Sequence, residues 1–280
     1  MSNINGKDIS NKIKEKLKSE IKTYMIKPCL AVIQIGNDEA SNIYIKAKEK
    51  ACSEVGIYLK HIKFGEDVRE IEIINKIIEL NNDDYVNGIL LQLPIPQKFN
   101  EEKLINYISR SKDVDGLTDT NMGKLLNNKK CLISCTPQGI INMLEESNVE
   151  ISGKNVVIVG RSKLVGKPLI SLFLNKDATV TVCHSKTENL KQFTKNADIL
   201  VVAIGKKHFI TDDMVKEGSI VIDVGINRID GKIYGDVDYE NVKEKVSMIT
   251  PVPGGVGPMT VAMLLNNVNI VYKNMNNKQL

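Results

Sequence analysis

No apolar run in the 280 residues approaches the roughly 18 that a membrane-spanning helix needs. The opening MSNINGKDIS has no apolar core of the kind a secretory signal carries. Dense Lys/Arg blocks with interleaved aromatics are missing, and the formal net charge is only +4, so nothing points to nucleic acid. The five cysteines, Cys29, Cys52, Cys131, Cys135 and Cys183, show neither disulfide-framework spacing nor a Cys-x-x-Cys. Cys131 and Cys135 could be read as metal ligands. With only His61, His184 and His208 to join them, small buried hydrophobes describe them better than a zinc set. Internal repeats and low-complexity tracts are absent too. These absences predict a cytoplasmic protein with no membrane, nucleic-acid or metal partner.

What is present is a globular balance, 42% hydrophobic and 26% charged, over a length that suits one large domain or two ordinary ones. Ile9, Ile13, Leu17 and Ile21 recur every four residues between charges and predict an amphipathic opening helix. Cys29–Ile35 is a short apolar run that reads as a buried strand ending at Gly36-Asn37-Asp38. A helix is expected from about Glu39 to Val55, stopped by Gly56. A strand over Ile57–Phe64, a helix from about Val68 to Leu80 and a buried strand over Gly88–Leu93 follow, the last stopped by Pro94 and Pro96. This alternation predicts an α/β layer with parallel strands.

From Ser109 to Cys135 the pattern is irregular and polar, and a long structureless stretch inside a compact protein is usually functional. Thr136-Pro137 then predicts an N-cap and first position for a helix to about Ser147. The alternation restarts with strands at Asn155–Val159, Thr179–Cys183, Ile199–Ala203 and Ile220–Val224, and a helix over Lys167–Asn175. That is a doubly wound nucleotide-binding layout. After the turn-rich Pro251–Pro258, a last helix is expected from about Met259 to Tyr272.

The loop Gly160-Arg161-Ser162-Lys163-Leu164-Val165-Gly166 lies between strand and helix, where backbone N–H groups and the helix dipole favour a pyrophosphate. It departs from Gly-x-Gly-x-x-Gly: Ser162 replaces the middle glycine and the spacing to Gly166 is longer. A plain strand–helix turn is the alternative. The second strand ends in Cys183-His184-Ser185-Lys186-Thr187. No carboxylate stands there to accept from ribose hydroxyls or to repel a 2′-phosphate, which Ser185, Lys186 and Arg161 could bind. This favours NADP over NAD. The fold class expected is therefore α/β with two domains: an N-terminal α/β substrate domain over 1–138 and a Rossmann-like doubly wound NADP-binding domain over 139–280. The active-site cleft should lie between them, with the final helix, about 259–274, packing back on the first.

Tyr44 and Lys48 share a helix face at i, i+4. A short-chain-dehydrogenase Tyr–Lys pair would follow the glycine-rich loop within one fold. This pair precedes Gly160 in a separate α/β unit and so belongs to the substrate domain. Locally, with Lys46 and Lys50 beside it, Lys48 would be a solvated charge. The whole chain says otherwise. Ser41-x-x-Tyr44-x-x-x-Lys48, Gly88-Ile89-Leu90-Leu91-Gln92-Leu93-Pro94-Ile95-Pro96, Lys112-Asp113-Val114-Asp115-Gly116, Cys135-Thr136-Pro137, Gly160-Arg161-Ser162 and Thr250-Pro251-Val252-Pro253-Gly254-Gly255-Val256-Gly257-Pro258-Met259-Thr260 occur in this order. Together they resemble the bifunctional methylenetetrahydrofolate dehydrogenase/methenyltetrahydrofolate cyclohydrolase family, over nearly the whole chain. Ile95 stands where many members have Leu, a conservative exchange.

The resemblance implies NADP-dependent oxidation of 5,10-methylenetetrahydrofolate to the methenyl cation, then hydrolysis to 10-formyltetrahydrofolate. It implies a place in one-carbon metabolism, serving purine and amino-acid biosynthesis. It assigns catalysis to Tyr44, Lys48, Gln92 and Asp115. Folate contacts fall to these and to Leu91, Leu93 and the turn Pro253, Gly254, Gly255, Val256 and Gly257. Cofactor contacts fall to Gly160, Arg161, Ser162, Ser185 and the Ile226 backbone. A homodimer through the cofactor domain is implied as well.

The chemistry fits these residue types. Removing hydride from the bridging carbon needs positioning but no protein base. Hydrolysis needs a proton taken from water and one given to a ring nitrogen, and one neutral amine can do both in turn. A lysine serves near neutral pH where burial or neighbours lower its pKa. Gln92 can hydrogen-bond Lys48 without holding it charged as a carboxylate would. Tyr44 can stack on a flat pterin and align its hydroxyl with the lysine. Asp115 can accept two hydrogen bonds from a pterin's ring N–H and amino group. Asp113 reads as a turn cap. The glycines of Pro253–Gly257 either let backbone approach a ligand or make a tight turn. Asp223 reads as structural, and His184 and His208 receive no chemistry. A dehydrogenase of the shikimate type and an NADP-sensing module without turnover are the competing readings. The first leaves Gln-Leu-Pro-Ile-Pro without a role, and the second leaves the Tyr44/Lys48/Gln92/Asp115 set without one.

Overall fold

The computed structural model describes residues 2–276; Met1 and residues 277–280, at the outer ends of the two expected domains, lie outside the described residues. In chain order the elements begin β1 (Ser2–Asn3), α1 (Gly6–Lys22), β2 (Cys29–Ile35), α2 (Glu39–Val55), β3 (Tyr58–Phe64), α3 (Glu70–Asn82) and β4 (Gly88–Leu91). Next come α4 (Glu101–Tyr107), α5 (Asp119–Leu126), α6 (Cys135–Glu146), β5 (Asn155–Val159), α7 (Gly166–Leu174), β6 (Thr179–Cys183) and α8 (Leu190–Thr194). The last are β7 (Ile199–Val202), β8 (Ile220–Asp223), β9 (Asn227–Ile229), β10 (Lys232–Tyr234), α9 (Tyr239–Val242), β11 (Met248–Ile249) and α10 (Val256–Asn276).

The chain divides into two compact units, and the division is discontinuous. A three-stranded unit comprises Asn11–Lys124, Lys130–Ile133 and the chain from Val261 onward; a six-stranded unit comprises the chain up to Ser10, Leu125–Lys129 and Ser134–Thr260. The single cut near 138 suggested by the sequence differs from this in the chain up to Ser10 and at 125–129 and 134–138, while the last helix, from Val261, falls in the three-stranded unit. The reason is local pairing. Ser2 and Asn3 pair in parallel with Met248 and Ile249, so the first residues join the sheet formed by the second half.

In the three-stranded unit the parallel order is β3-β2-β4, with Leu30 opposite both Leu59 and Gly88. β2 is central and buried along its whole length, which is why it reads as an unbroken apolar run. Edge strand β3 alternates between exposed and half-buried positions. Ile33, Ile77, Leu80, Ile89 and Leu104 meet in the core, each stabilising the fold by about 1.5–3 kcal/mol if fully buried. α2 starts where Asp38 accepts the Ser41 amide at 2.7 Å and stops where Gly56 turns left-handed at φ 87°. From α10, Asn269 reaches back to Tyr24 and Glu20, and Tyr272 stacks on Tyr24 with ring centroids 4.5 Å apart.

The six-stranded sheet is parallel throughout, in the order β1-β11-β8-β7-β5-β6. β9 and β10 form a separate antiparallel hairpin across Asp230-Gly231, whose φ values of 49° and 74° suit a two-residue turn. Among the described residues no helix is long and apolar enough to cross a membrane.

Three local expectations are corrected. The stretch Ser109–Cys135 holds α5, whose eight residues make little more than two turns, too short for a repeating helical period to stand out. Ser134, not Thr136, is the N-cap of α6, which places Pro137 at the third helical position. That position still lies in the first turn, where no intrahelical N–H is needed. α10 begins at Val256, three residues before Met259, because Gly254 and Gly255 complete the turn ahead of it.

Candidate active site

In the three-stranded unit Lys48 lies on α2 and Gln92 just past the end of β4. The Gln92 amide still donates to Ile33 O at 2.8 Å, so the sheet fixes its backbone. The Lys48 Nζ donates to Gln92 Oε1 at 2.6 Å, and Gln92 Nε2 donates to Leu93 O at 2.6 Å. These two bonds orient the amide: its nitrogen must face a carbonyl and its oxygen an amine. Gln92 is buried and Lys48 half-buried. Cys52, one turn along α2, is also buried, and burial pushes its thiol up to about 12 against the opposing effect of Lys48. No thiolate therefore competes with Gln92 for the amine. Tyr44, one turn before Lys48, is 40% exposed. Leu91 belongs to the apolar core and Leu93 packs at its edge, so what they offer a ligand is backbone.

Asp115 follows a tightly tied segment. Lys112 is buried and its Nζ donates to the carbonyls of Leu80 and Asp83 at 3.0 and 2.7 Å. Burial lowers its pKa. The Asp113 carboxylate is buried, accepting from the amides of Leu117 and Thr118 and from Asn121 Nδ2. It thus braces the entry to α5. Asp115 itself is half-buried.

The six-stranded unit carries the nucleotide loop. Val159 and Cys183 are register partners, so the segments after β5 and β6 leave the same edge of the sheet. Gly160 donates to Cys183 O at 2.9 Å with φ +127°, and a Cβ there would lie 2.3 Å from Ala203 O. A Cβ on Gly166 would lie 2.3 Å from Gly160 O. Both positions need glycine for close backbone approach. Ser162 Oγ accepts from the Val165 amide at 3.1 Å, just before α7 starts. Arg161, Ser162 and Ser185 are exposed. After β6 the turn closes on itself: His184 N donates to Thr187 Oγ1, and Lys186 N to His184 Nδ1. The glycine cradle, the helix start and a second-strand end without a carboxylate fit a dinucleotide bearing a 2′-phosphate.

Ile226 is 46% exposed. The segment before it is braced by two buried carboxylates. Asp223 accepts from the amides of Gly225, Asp236 and Val237. Asp236 accepts from those of Ile204, Gly205 and Lys206. Burial raises Asp223 to about 6 despite these bonds. Its contacts are structural. In the turn before α10, a Cβ on Gly255 would lie 2.6 Å from Pro251 O, Gly254 has φ +106°, and Gly254 O accepts from Lys7 N at 2.9 Å. Gly257, in contrast, has room beside it, with Ile226 Cδ1 at 3.9 Å the nearest neighbour of an added Cβ. Tight turning and open backbone therefore coexist in Pro253–Gly257. Among the described residues no group of three or more His, Cys, Asp or Glu gathers that could hold a metal.

Residues 4–115 match the model of the tetrahydrofolate dehydrogenase/cyclohydrolase catalytic domain, and residues 134–276 that of its NAD(P)-binding domain. The bifunctional protein FolD of Halalkalibacterium halodurans is 51% identical, over 94% of this chain and 96% of that protein. The crystal structure of FolD from Campylobacter jejuni superposes with a TM-score of 0.96 at 46% identity, covering 98% of this chain and 99% of that one. The Trypanosoma brucei dehydrogenase-cyclohydrolase, solved with NADP and an inhibitor, has a TM-score of 0.92 at 31% identity, covering 98% and 97%.

Proposed function

The chain belongs to the tetrahydrofolate dehydrogenase/cyclohydrolase family, and we propose that Lys48, held by Gln92, carries the proton transfers of the second of its two reactions. The enzyme oxidises 5,10-methylenetetrahydrofolate to 5,10-methenyltetrahydrofolate with NADP, then hydrolyses the product to 10-formyltetrahydrofolate. We assign catalysis and the folate contacts of Tyr44, Lys48, Leu91, Gln92, Leu93 and Asp115 to the three-stranded unit, and NADP binding and the folate contacts of Pro253–Gly257 to the six-stranded one.

The bound cofactor supplies the hydride acceptor. Gly160, Arg161, Ser162, Ser185 and the Ile226 backbone hold it, with Arg161 and Ser185 at the 2′-phosphate. Asp115 accepts from the ring N–H and exocyclic amine of the pterin as a bidentate pair. Tyr44 stacks on the same ring, and the backbone of Leu91, Leu93 and Pro253, Gly254, Gly255, Val256 and Gly257 completes the contacts. In the hydrolysis Lys48, as a neutral amine, takes a proton from the attacking water. It returns that proton to the ring nitrogen as the bond from that nitrogen to the bridging carbon breaks; the adduct's hydroxyl gives its own proton to solvent as it becomes the formyl C=O, which stays on the other nitrogen. Gln92 keeps the amine aimed while adding no charge. The observation that carries this reading is the 2.6 Å bond between Lys48 and a neutral, sheet-fixed amide.

Absorbance of the methenyl intermediate, followed with NADP and then NAD, tests the proposal. NADP should give a signal that rises and decays, and NAD a weaker one; a signal that never decays would remove the hydrolytic role. The proposal extends to a homodimer formed through the six-stranded unit, acting in the cytoplasm without nucleic acid and feeding purine and amino-acid biosynthesis. The family resemblance supports it, and sedimentation of the purified protein checks the assembly.

A further inference from the structure

We infer that Asn267, on the last helix, is a positioning residue for Asp115; this rests on the folate-binding reading of Asp115 above. Asn267 is 1% exposed on α10, between Leu265 and Val268, which are buried beside it. Its Nδ2 donates to Val114 O at 2.8 Å and to Ile133 O at 3.0 Å, so both amide hydrogens are committed to backbone. The Val114 carbonyl belongs to the peptide unit whose nitrogen is that of Asp115. Because that unit is planar, holding the oxygen also holds the start of Asp115.

The rest of the segment leaves Val114 little freedom. Lys112 O accepts from the amides of Ile89 and Val114 at 2.8 and 2.9 Å. The Val114 side chain is fully buried, and a Cβ on Gly88 would come within 2.6 Å of it. One face of the peptide is thus fixed by packing against β4, while Asn267 fixes its oxygen from an element 153 residues away. A bidentate carboxylate–pterin contact demands correct distance and angle at both oxygens. A peptide free to rotate by a few tens of degrees would break one of the two bonds.

The test is steady-state kinetics on the full-length enzyme with separate KM values for the folate substrate and NADP. Asn267→Ala should raise the folate KM about tenfold, equivalent to one lost charge-assisted hydrogen bond, and leave the NADP KM within about twofold. Asn267→Ser, able to donate to one carbonyl, should fall between. A core variant chosen for equal loss of Tm, Ile77→Val or Ile77→Ala, should not change the ratio of the two KM values. In the Asp115→Asn background, Asn267→Ala should add nothing further to the folate KM. Should Asn267→Ala not fold, Gly88→Ala, which presses on Val114 with Asn267 intact, should raise the folate KM alone. Additive effects, or equal changes in both KM values, would overturn the inference. An unchanged folate KM in Asp115→Asn itself would instead sink the folate reading of Asp115.

Discussion

The two units build their sites from different materials. In the three-stranded unit side chains grip side chains and carbonyls: Lys48 on Gln92, Lys112 on Leu80 and Asp83, Asn267 on Val114. In the six-stranded unit the site is mostly backbone. Gly160 and Gly166 bring main chain within a distance no Cβ tolerates, and buried Asp223 and Asp236 hold loops by their amides. Proton transfer needs an aimed titratable group, whereas a pyrophosphate needs bare N–H groups. Removing a functional group should therefore damage the first unit's chemistry, and adding a methyl group the second's.

The largest effect should come from Lys48→Met. Loss of a general acid–base should cut methenyl hydrolysis by about 10²–10⁴-fold, with hydride transfer falling less than about tenfold. Accumulation of the methenyl absorbance with NADP would show this. Equal loss of both steps in a folded protein that still binds folate would break the division of labour.

Gly160→Ala probes the other side. A Cβ 2.3 Å from Ala203 O must displace the loop. Dehydrogenase kcat/KM should fall about a hundredfold, equivalent to some 2.7 kcal/mol. Hydrolysis of supplied methenyl substrate should stay within about twofold. A parallel loss of hydrolysis would mean that the units do not separate function as described.

The smallest effect concerns pH. Burial raises Asp223 to about 6 from an ordinary 3.8, so between those values the folded state binds more protons than the unfolded. Its contribution to stability is complete below about pH 4 and is lost as the pH rises through about 6, a change on the order of 3 kcal/mol. Glu20 in the three-stranded unit runs the other way. Its bond from Lys273, the largest cause, lowers its pKa, so that contribution is lost on acidification. Urea midpoints from pH 4 to 7 should show a downward slope that Asp223→Asn flattens. A slope unchanged by that substitution would remove Asp223 as its source.

Much of this was legible in the chain. β2 and the limits of α2 match the expected residues because an apolar run, Asp38 and Gly56 are local signals. Two missed elements also had signals. Asn100 caps α4 through the Lys103 amide at 3.0 Å, and Asp230-Gly231 is a strong hairpin turn. β1 and β11, two residues each, had none, since so short a strand exists only through its partner. Asn267, one of three asparagines within four residues of α10, carried no signal of what it holds.

The sequence by itself determined the alternating α/β series of both halves, though not its shortest elements. Periodicity, caps and motifs act within a few residues, so they survive in one dimension. Only the tertiary structure decided that Ile33 O and Leu93 O fix the Gln92 amide that faces Lys48, and that Asn267 holds the Val114 carbonyl before Asp115 from 153 residues away. A hydrogen bond depends on distance and angle in space, and no local pattern encodes which distant carbonyl an amide will meet.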